Sequence, residues 1–401
     1  MTLDNFKAAY DNAYQDVFQK VLVGKSIANL RFESTLQYGG SVVRMSYDIA
    51  NVYVRVVTRG SASTIDTVTD STDTLTINQE YEAVFYLSDG EITQAGPLNP
   101  GEVIGGKIGH LVATDLDARI LAEIVNANQT FDNGDLTTLV SDGVAFLLNS
   151  TTVPQMATRM PAKLRSANQI LTNVVFVIDA YAASDLAQYL LGKQFDIVSY
   201  VFKNGDAGEQ FAQAQVYISE NLTGEVTLTC VGTISFANGN TLTINGVTLT
   251  FTTSAVAAAG EVSIGSTTTT TLTNLKTALE TPDVSTAGVY YAHGSVSAAV
   301  LKGLKFDVST TALIARIRAR GGGRLTVSEA VTYGTINTPF IHAYYGKKGA
   351  IDVVVQDFKP VDMRATADRR GQNIFSSYLA GIKTYPDGAK KFLDVQIRTA
   401  S

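Results

Sequence analysis

Gly101-Glu-Val-Ile-Gly-Gly106-Lys107 comes nearest to a chemical signature, because a glycine-rich turn followed by lysine can cradle phosphate groups. Two features defeat that reading. Ile108 stands where a Ser or Thr would reach magnesium, and no buried strand run precedes the loop. Gly24-Lys25-Ser26 lacks the upstream glycine, so both stretches read as helix boundaries. Gly321-Gly322-Gly323 could hold an anion, but no helix starts directly after it. A turn before a strand at Arg324–Val327 accounts for it better. The only histidines, His110, His293 and His342, lie on separate segments without the clustering a metal site needs, and are expected at the surface or an interface. Asp66, Asp70 and Asp73 could face a calcium ion, yet the glycine and glutamate of an EF-hand loop are missing, which leaves a solvated loop tip. Asp115 and Asp117 stand two apart on an expected helix and so point in different directions. Cys230 is the sole cysteine, excluding an intrachain disulfide or a cysteine-based metal site. No Gly-x-Ser-x-Gly elbow or defensible Ser/His/Asp set is present. The residue types argue for no catalysis, no cofactor and no metal.

What they leave is a scaffold. Its 401 residues, 45% hydrophobic and 17% charged, suit two or three globular domains with a sizeable core. No apolar run reaches the ~20 residues of a membrane helix, and the N-terminal stretch carries early acids without the apolar centre of a secretory signal. Net charge is −6 with no basic run, so the chain is not built to grip nucleic acid along a stripe. An acidic container that leaves nucleic acid unbound is compatible with that balance.

Local patterns place the elements. Phe6, Tyr10, Tyr14, Phe18 and Leu22 give a first helix capped by Thr2 or Asp4. Ile104, Ile108, Val112, Leu116, Ile120 and Ile124 recur every four residues, with Leu111 and Leu121 beside them. At 3.6 residues per turn such a row drifts around the helix, so Val103–Ala127 reads as a spine that meets different partners along its length. Asn173–Ala180 is a buried strand, Ala182–Gly192 a helix and Gln215–Ser219 a strand. From Thr227 the chain turns Thr-rich and poor in charge. Asn238-Gly239 and Asn245-Gly246 are hairpin turns, followed by a strand at Glu261–Ile264 and a helix at Leu272–Leu279. Near Thr338 the texture reverts. Residues 225–337 therefore read as a β-rich module spliced into an older domain, as exposed loops tolerate.

Asn51–Gly90 is the odd segment. Val52, Val54 and Val56 alternate with polar or amphipathic residues, and Leu75, Ile77, Tyr81, Ala83, Phe85 and Leu87 occupy odd positions further on. Between them lies the polar stretch Gly60–Asp73. The pattern predicts one long hairpin with an apolar face on each arm. A lone two-stranded hairpin is marginal in water, so Val52, Val54, Val56, Leu75, Ile77, Tyr81, Phe85 and Leu87 are expected to bury against another copy of the chain.

The order of these parts resembles the major capsid proteins of tailed bacteriophages, the Hong Kong 97 fold. That resemblance implies an α+β fold with an N-terminal arm at 1–44, an extended hairpin (the E-loop) at 45–90 and a P-domain with its spine helix at 91–151. An A-domain at 152–224 would resume at 338–357 around the inserted module, and the P-domain would return at 358–401. It covers nearly all of the chain outside the insertion and rests on layout, since the family has no short invariant motif. It implies a structural subunit that assembles into pentamers and hexamers of an icosahedral or prolate head. The partners implied are a separate scaffolding protein, a portal, decoration proteins and enclosed double-stranded DNA, with assembly in the host bacterial cytoplasm. Relatives that crosslink use a lysine in the E-loop. Met45–Gly90 has none, so the strap is expected to hold by packing and hydrogen bonds. An encapsulin-type nanocompartment shell and a phage tail or adhesin protein are the alternative readings.

Overall fold

The computed structural model describes residues 7–15, 22–30, 40–48, 54–56, 59, 65–67, 69–77, 79–88, 90–91, 100–167, 169–191, 202–203, 206–207, 210–230, 236–302, 304–309, 314–319, 325–330, 334–365 and 370–398. Two compact units emerge: Met1–Leu116 with 126–128 and Lys347–Phe392, and Asp117–Val125 with Gln129–Gly346 and 393–401.

Four-residue apolar spacing gives the helix Pro100–Leu121, which belongs to the first unit up to Leu116 and whose end tightens into a 3-10 turn at Ala122–Asn126. Its glycines explain themselves here. Residues 7–15 form a helix that lies against it. A Cβ at Gly105 would fall 2.4 Å from the Tyr10 carbonyl oxygen, and one at Gly109 would fall 2.7 Å from that of Tyr14. The glycine run is thus a seat for a second backbone. Tyr10 and Tyr14 are wholly buried and stacked, ring centroids 6.1 Å apart, and the Tyr10 hydroxyl lies 2.7 Å from the Ser376 hydroxyl.

A four-stranded sheet completes this unit, ordered Ala28–Asn29, Ile351–Ala365, Gly371–Lys383, Gln79–Ser88. The 15- and 13-residue middle strands are long for a globular protein. Their ladder shifts register between Gln356 and Asp362, the irregularity that bends long strands. Gln79–Ser88 pairs antiparallel with Gly371–Ala380.

The second unit is built on a ten-stranded mixed sheet. Its path runs Leu304–Ser309, Ile314–Ala319, Gly224–Cys230, Phe340–Lys347, Val174–Ile178, Ala214–Ile218, Gln210–Phe211, with Gly334–Ile336, Phe392–Arg398 and Gln129–Phe131 joined off that path. Val174–Ile178 is buried on both faces, as its uninterrupted apolar run requires, and the helix Ala180–Leu191 follows directly. A separate four-stranded sheet, Glu261–Ser263, Val247–Thr252, Thr241–Ile244, Val327–Ala330, is turned at Asn245-Gly246. Both turn residues have positive φ, 49° and 79°, the type I′ geometry that Asn-Gly favours. The helix Thr268–Glu280, capped by the Thr267 hydroxyl accepting from Thr270 N–H, buries Leu272, Leu275 and Leu279. Among the described residues, the apolar cluster holding these side chains draws on residues 226–336, including Val226, Leu249, Phe251 and Ile317. Its outer strands Gly224–Cys230 and Gly334–Ile336 pair with each other and belong to the larger sheet.

Candidate functional site

Two of the expected arms do not pair as the alternation suggested. Ser41–Asp48 pairs antiparallel with Thr69–Thr76, from Ser41 opposite Thr76 to Asp48 opposite Thr69. The outgoing arm therefore lies before Asn51. Thr69–Asp73, expected in a solvated tip, is strand. Backbone hydrogen bonding decided this register, since Thr69–Thr74 offers almost no apolar side chains. Past Ile77 the chain leaves the hairpin, and Gln79–Ser88 pairs instead with a strand nearly 300 positions away.

The expected interface residues divide accordingly. Leu75 and Ile77 are buried within the chain against Val354 and Tyr385. Gly381 leaves room for them, since a Cβ there would meet Leu75 Cδ2 at 2.6 Å and Ile77 Cγ1 at 2.9 Å. The Ile77 amide donates to the Gly40 carbonyl (2.8 Å), and the Lys383 ammonium donates to the Asp73 carboxylate and to the Thr74 carbonyl at 2.8 Å. Asp73 is thus a root anchor. Tyr81, Phe85 and Leu87 lie half-buried on one face of Gln79–Ser88, and Tyr81 packs on Tyr378 with centroids 5.0 Å apart. Val52 lies outside the described residues. Val54 and Val56 are 106% and 99% exposed, and Ile65, which the sequence did not single out, is 90% exposed. The Arg55 guanidinium donates to Asp66 at 2.7 Å, tying the two exposed stretches together.

The hairpin is therefore rooted in the core of its own unit and carries fully exposed β-branched side chains beyond its paired strands. Each such side chain is worth about 1.5–3 kcal/mol when removed from water. Three in two short stretches held by an ion pair make a surface suited to burial against another protein.

The remaining candidates resolve plainly. Gly101–Lys107 lies inside a helix, and Gly24–Ser26 is a 3-10 turn. Asp115 accepts from the Tyr378 hydroxyl at 2.7 Å. Asp117 is buried and accepts from the Ser219 hydroxyl at 3.0 Å and the Asn221 amide at 2.8 Å. Among the described residues, no group of three or more His, Cys, Asp or Glu is arranged to hold a metal ion, and no helix is long and apolar enough to cross a membrane. His110 is exposed and His293 half-buried.

His342 overturns the surface expectation. It is 2% exposed, with Nδ1 at 2.9 Å from both Asp394 oxygens and Nε2 at 3.2 Å from Glu225 Oε2. Burial by itself would lower its pKa. The Asp394 charge and hydrogen bond, joined by those of Glu225, outweigh that and raise it to about 9. Sequence offered no local signal for this cluster, because its partners stand 117 and 52 positions away.

No family model matches the sequence, and no curated protein matches it. Among solved structures, the chain is similar to one described as Mycobacterium phage Che8, at 12% identity over 94% of this chain and 90% of that one, with a TM-score of 0.47. It is also similar to the capsid structure of the cyanophage P-SCSP1u, at 10% identity over 95% and 89% of the two chains and a TM-score of 0.48. The mature capsid of bacteriophage PhiM1 gives 11% identity over 94% and 86%, with a TM-score of 0.45.

Proposed function

We propose that this chain is a structural subunit of a closed shell: the major capsid protein of a tailed bacteriophage, assembling through pentamers and hexamers around double-stranded DNA. The observation that carries the reading is the hairpin, rooted by Leu75, Ile77 and Lys383 and bearing Val54, Val56 and Ile65 fully exposed. Such a surface has no use in a monomer and suits a repeated contact between copies. Rings of five or six copies close through heterologous contacts, in which one patch meets a different patch on the next subunit. The net charge of −6 fits a container that does not hold its contents by phosphate neutralisation.

In this reading residues 1–44 form the arm and 45–90 the E-loop. Residues 225–337 are an inserted module, supported by an apolar cluster that, among the described residues, is drawn from 226–336. A scaffolding protein and a portal complete assembly, decoration proteins add to the outside, and the product is the virion. The test is expression of the chain, with a scaffolding partner where one is needed, followed by electron microscopy. Closed shells or rings of five and six support the proposal; persistent monomers or straight tubes overturn it.

A further inference from the structure

His342 lies on a strand that pairs with more than two others. The strand Phe340–Lys347 pairs with Gly224–Cys230 through Phe340 and Ile341, and it also pairs with Phe392–Arg398. Glu225 belongs to the first of those partners and Asp394 to the second. One imidazole thus bridges two strands that flank its own. Gly224–Cys230 leads into the segment whose core is drawn from residues 226–336, and His342 follows soon after that segment ends.

The geometry fixes the proton count. Ionised carboxylates only accept hydrogen bonds, and a neutral imidazole has a single N–H. With a carboxylate at each ring nitrogen, only the imidazolium satisfies both sides. All three residues are at most 4% exposed, so water cannot substitute for a lost bond.

We propose that Glu225, His342 and Asp394 form a latch that fixes the joint between the 226–336 segment and the rest of its sheet, and that the latch opens in alkaline solution. The groups facing His342 are Asp394 from the C-terminal strand, Glu225 from Gly224–Cys230, and the Phe340 ring on its own strand at 5.1 Å. Val174–Ile178, which also pairs with this strand, has no titratable residue. Backbone register sets Arg318 opposite Glu225, with Lys305 opposite Arg318. Folding raises the imidazole from its ordinary value near 6.5 to about 9. The stabilisation is therefore complete below about pH 6.5 and is lost as pH climbs through about 9. A raised pKa of this size corresponds to a change of roughly a hundredfold or more in the opening equilibrium.

Hydrogen exchange on the 401-residue chain tests this without any assembly, so its outcome is separate from that of the shell proposal. After correction for intrinsic exchange, amides of Gly224–Cys230 and Phe392–Arg398 should lose protection roughly a hundredfold between pH 7 and pH 10. Gly371–Lys383, in the other unit, should hold. His342→Gln should show the faster exchange already at pH 7, with little further change on raising pH. Should that variant fail to fold, the pH series on the unaltered chain decides alone. Unchanged protection of the two strands overturns the latch, and so does simultaneous loss in Gly371–Lys383.

Discussion

Replacing Gly105 by alanine sets two effects of opposite sign against each other. Gly105 lies inside the helix Pro100–Leu121, where intrinsic propensity favours Ala over Gly by about 1 kcal/mol. The new Cβ would sit 2.4 Å from the Tyr10 carbonyl oxygen and 2.8 Å from its Cα. These are backbone atoms and no rotamer change relieves them. The helix at 7–15 must lift, and overpacking of this kind costs about 1–3 kcal/mol. If it lifts away altogether, Tyr10 and Tyr14 lose burial worth roughly 1.5–3 kcal/mol each. Net of the propensity gain, the expected destabilisation is about 0–2 kcal/mol if the helix only shifts and about 2–5 kcal/mol if it lifts away. Gly109→Ala, with its Cβ 2.7 Å from the Tyr14 oxygen, should behave alike. Limited proteolysis within residues 7–15, beside thermal unfolding, reads the result. Cleavage there should accelerate at least tenfold in Gly105→Ala, while Val103→Ala, at an exposed position of the same helix, should change little. A more stable Gly105→Ala protein with unchanged proteolysis would refute the glycine seat.

Charging the exposed hairpin side chains, Val54→Glu with Val56→Glu, should leave the isolated subunit within ~0.5 kcal/mol of its parent and abolish assembly, seen by sedimentation. Leu75→Ala should act in the opposite manner, destabilising the subunit itself by about 2–5 kcal/mol in denaturant titration, because its side chain is buried in its own unit. Gly246→Ala meets nothing within 4 Å, yet its φ of 79° should cost about 1–2 kcal/mol, read as a lower melting temperature for the strands it joins.

Sequence carried the parts whose signals are local. The four-residue apolar row located the long helix, Asn245-Gly246 its hairpin, and the apolar run Asn173–Ala180 a buried strand, whereas Asn238-Gly239 joins no paired strands among the described residues. Pairing was less legible. Val54 and Val56 alternate as a strand should, but belong to no ladder among the described residues. Polar Thr69–Asp73 pairs through its backbone, which side-chain patterning does not report. Gln79–Ser88 has the expected alternation, its odd positions turned inward, but its partner is Gly371–Ala380, and one-sequence periodicity carries no information on that choice. The glycines of Gly101–Gly109 show the same limit. Their spacing matched a phosphate loop superficially, while their purpose depends on a helix 90-odd positions earlier. His342 was misplaced for a related reason, since only the sheet brings Glu225 and Asp394 to its two nitrogens.

The central claim is that another copy of the chain covers the hairpin's exposed apolar side chains. A cryo-electron microscopy reconstruction of assembled particles tests it most directly. The account predicts Val54, Val56 and Ile65 packed against a neighbouring copy, with Leu75 and Ile77 still against Val354 and Tyr385 of their own chain. A closed shell in which those three side chains face solvent would contradict it.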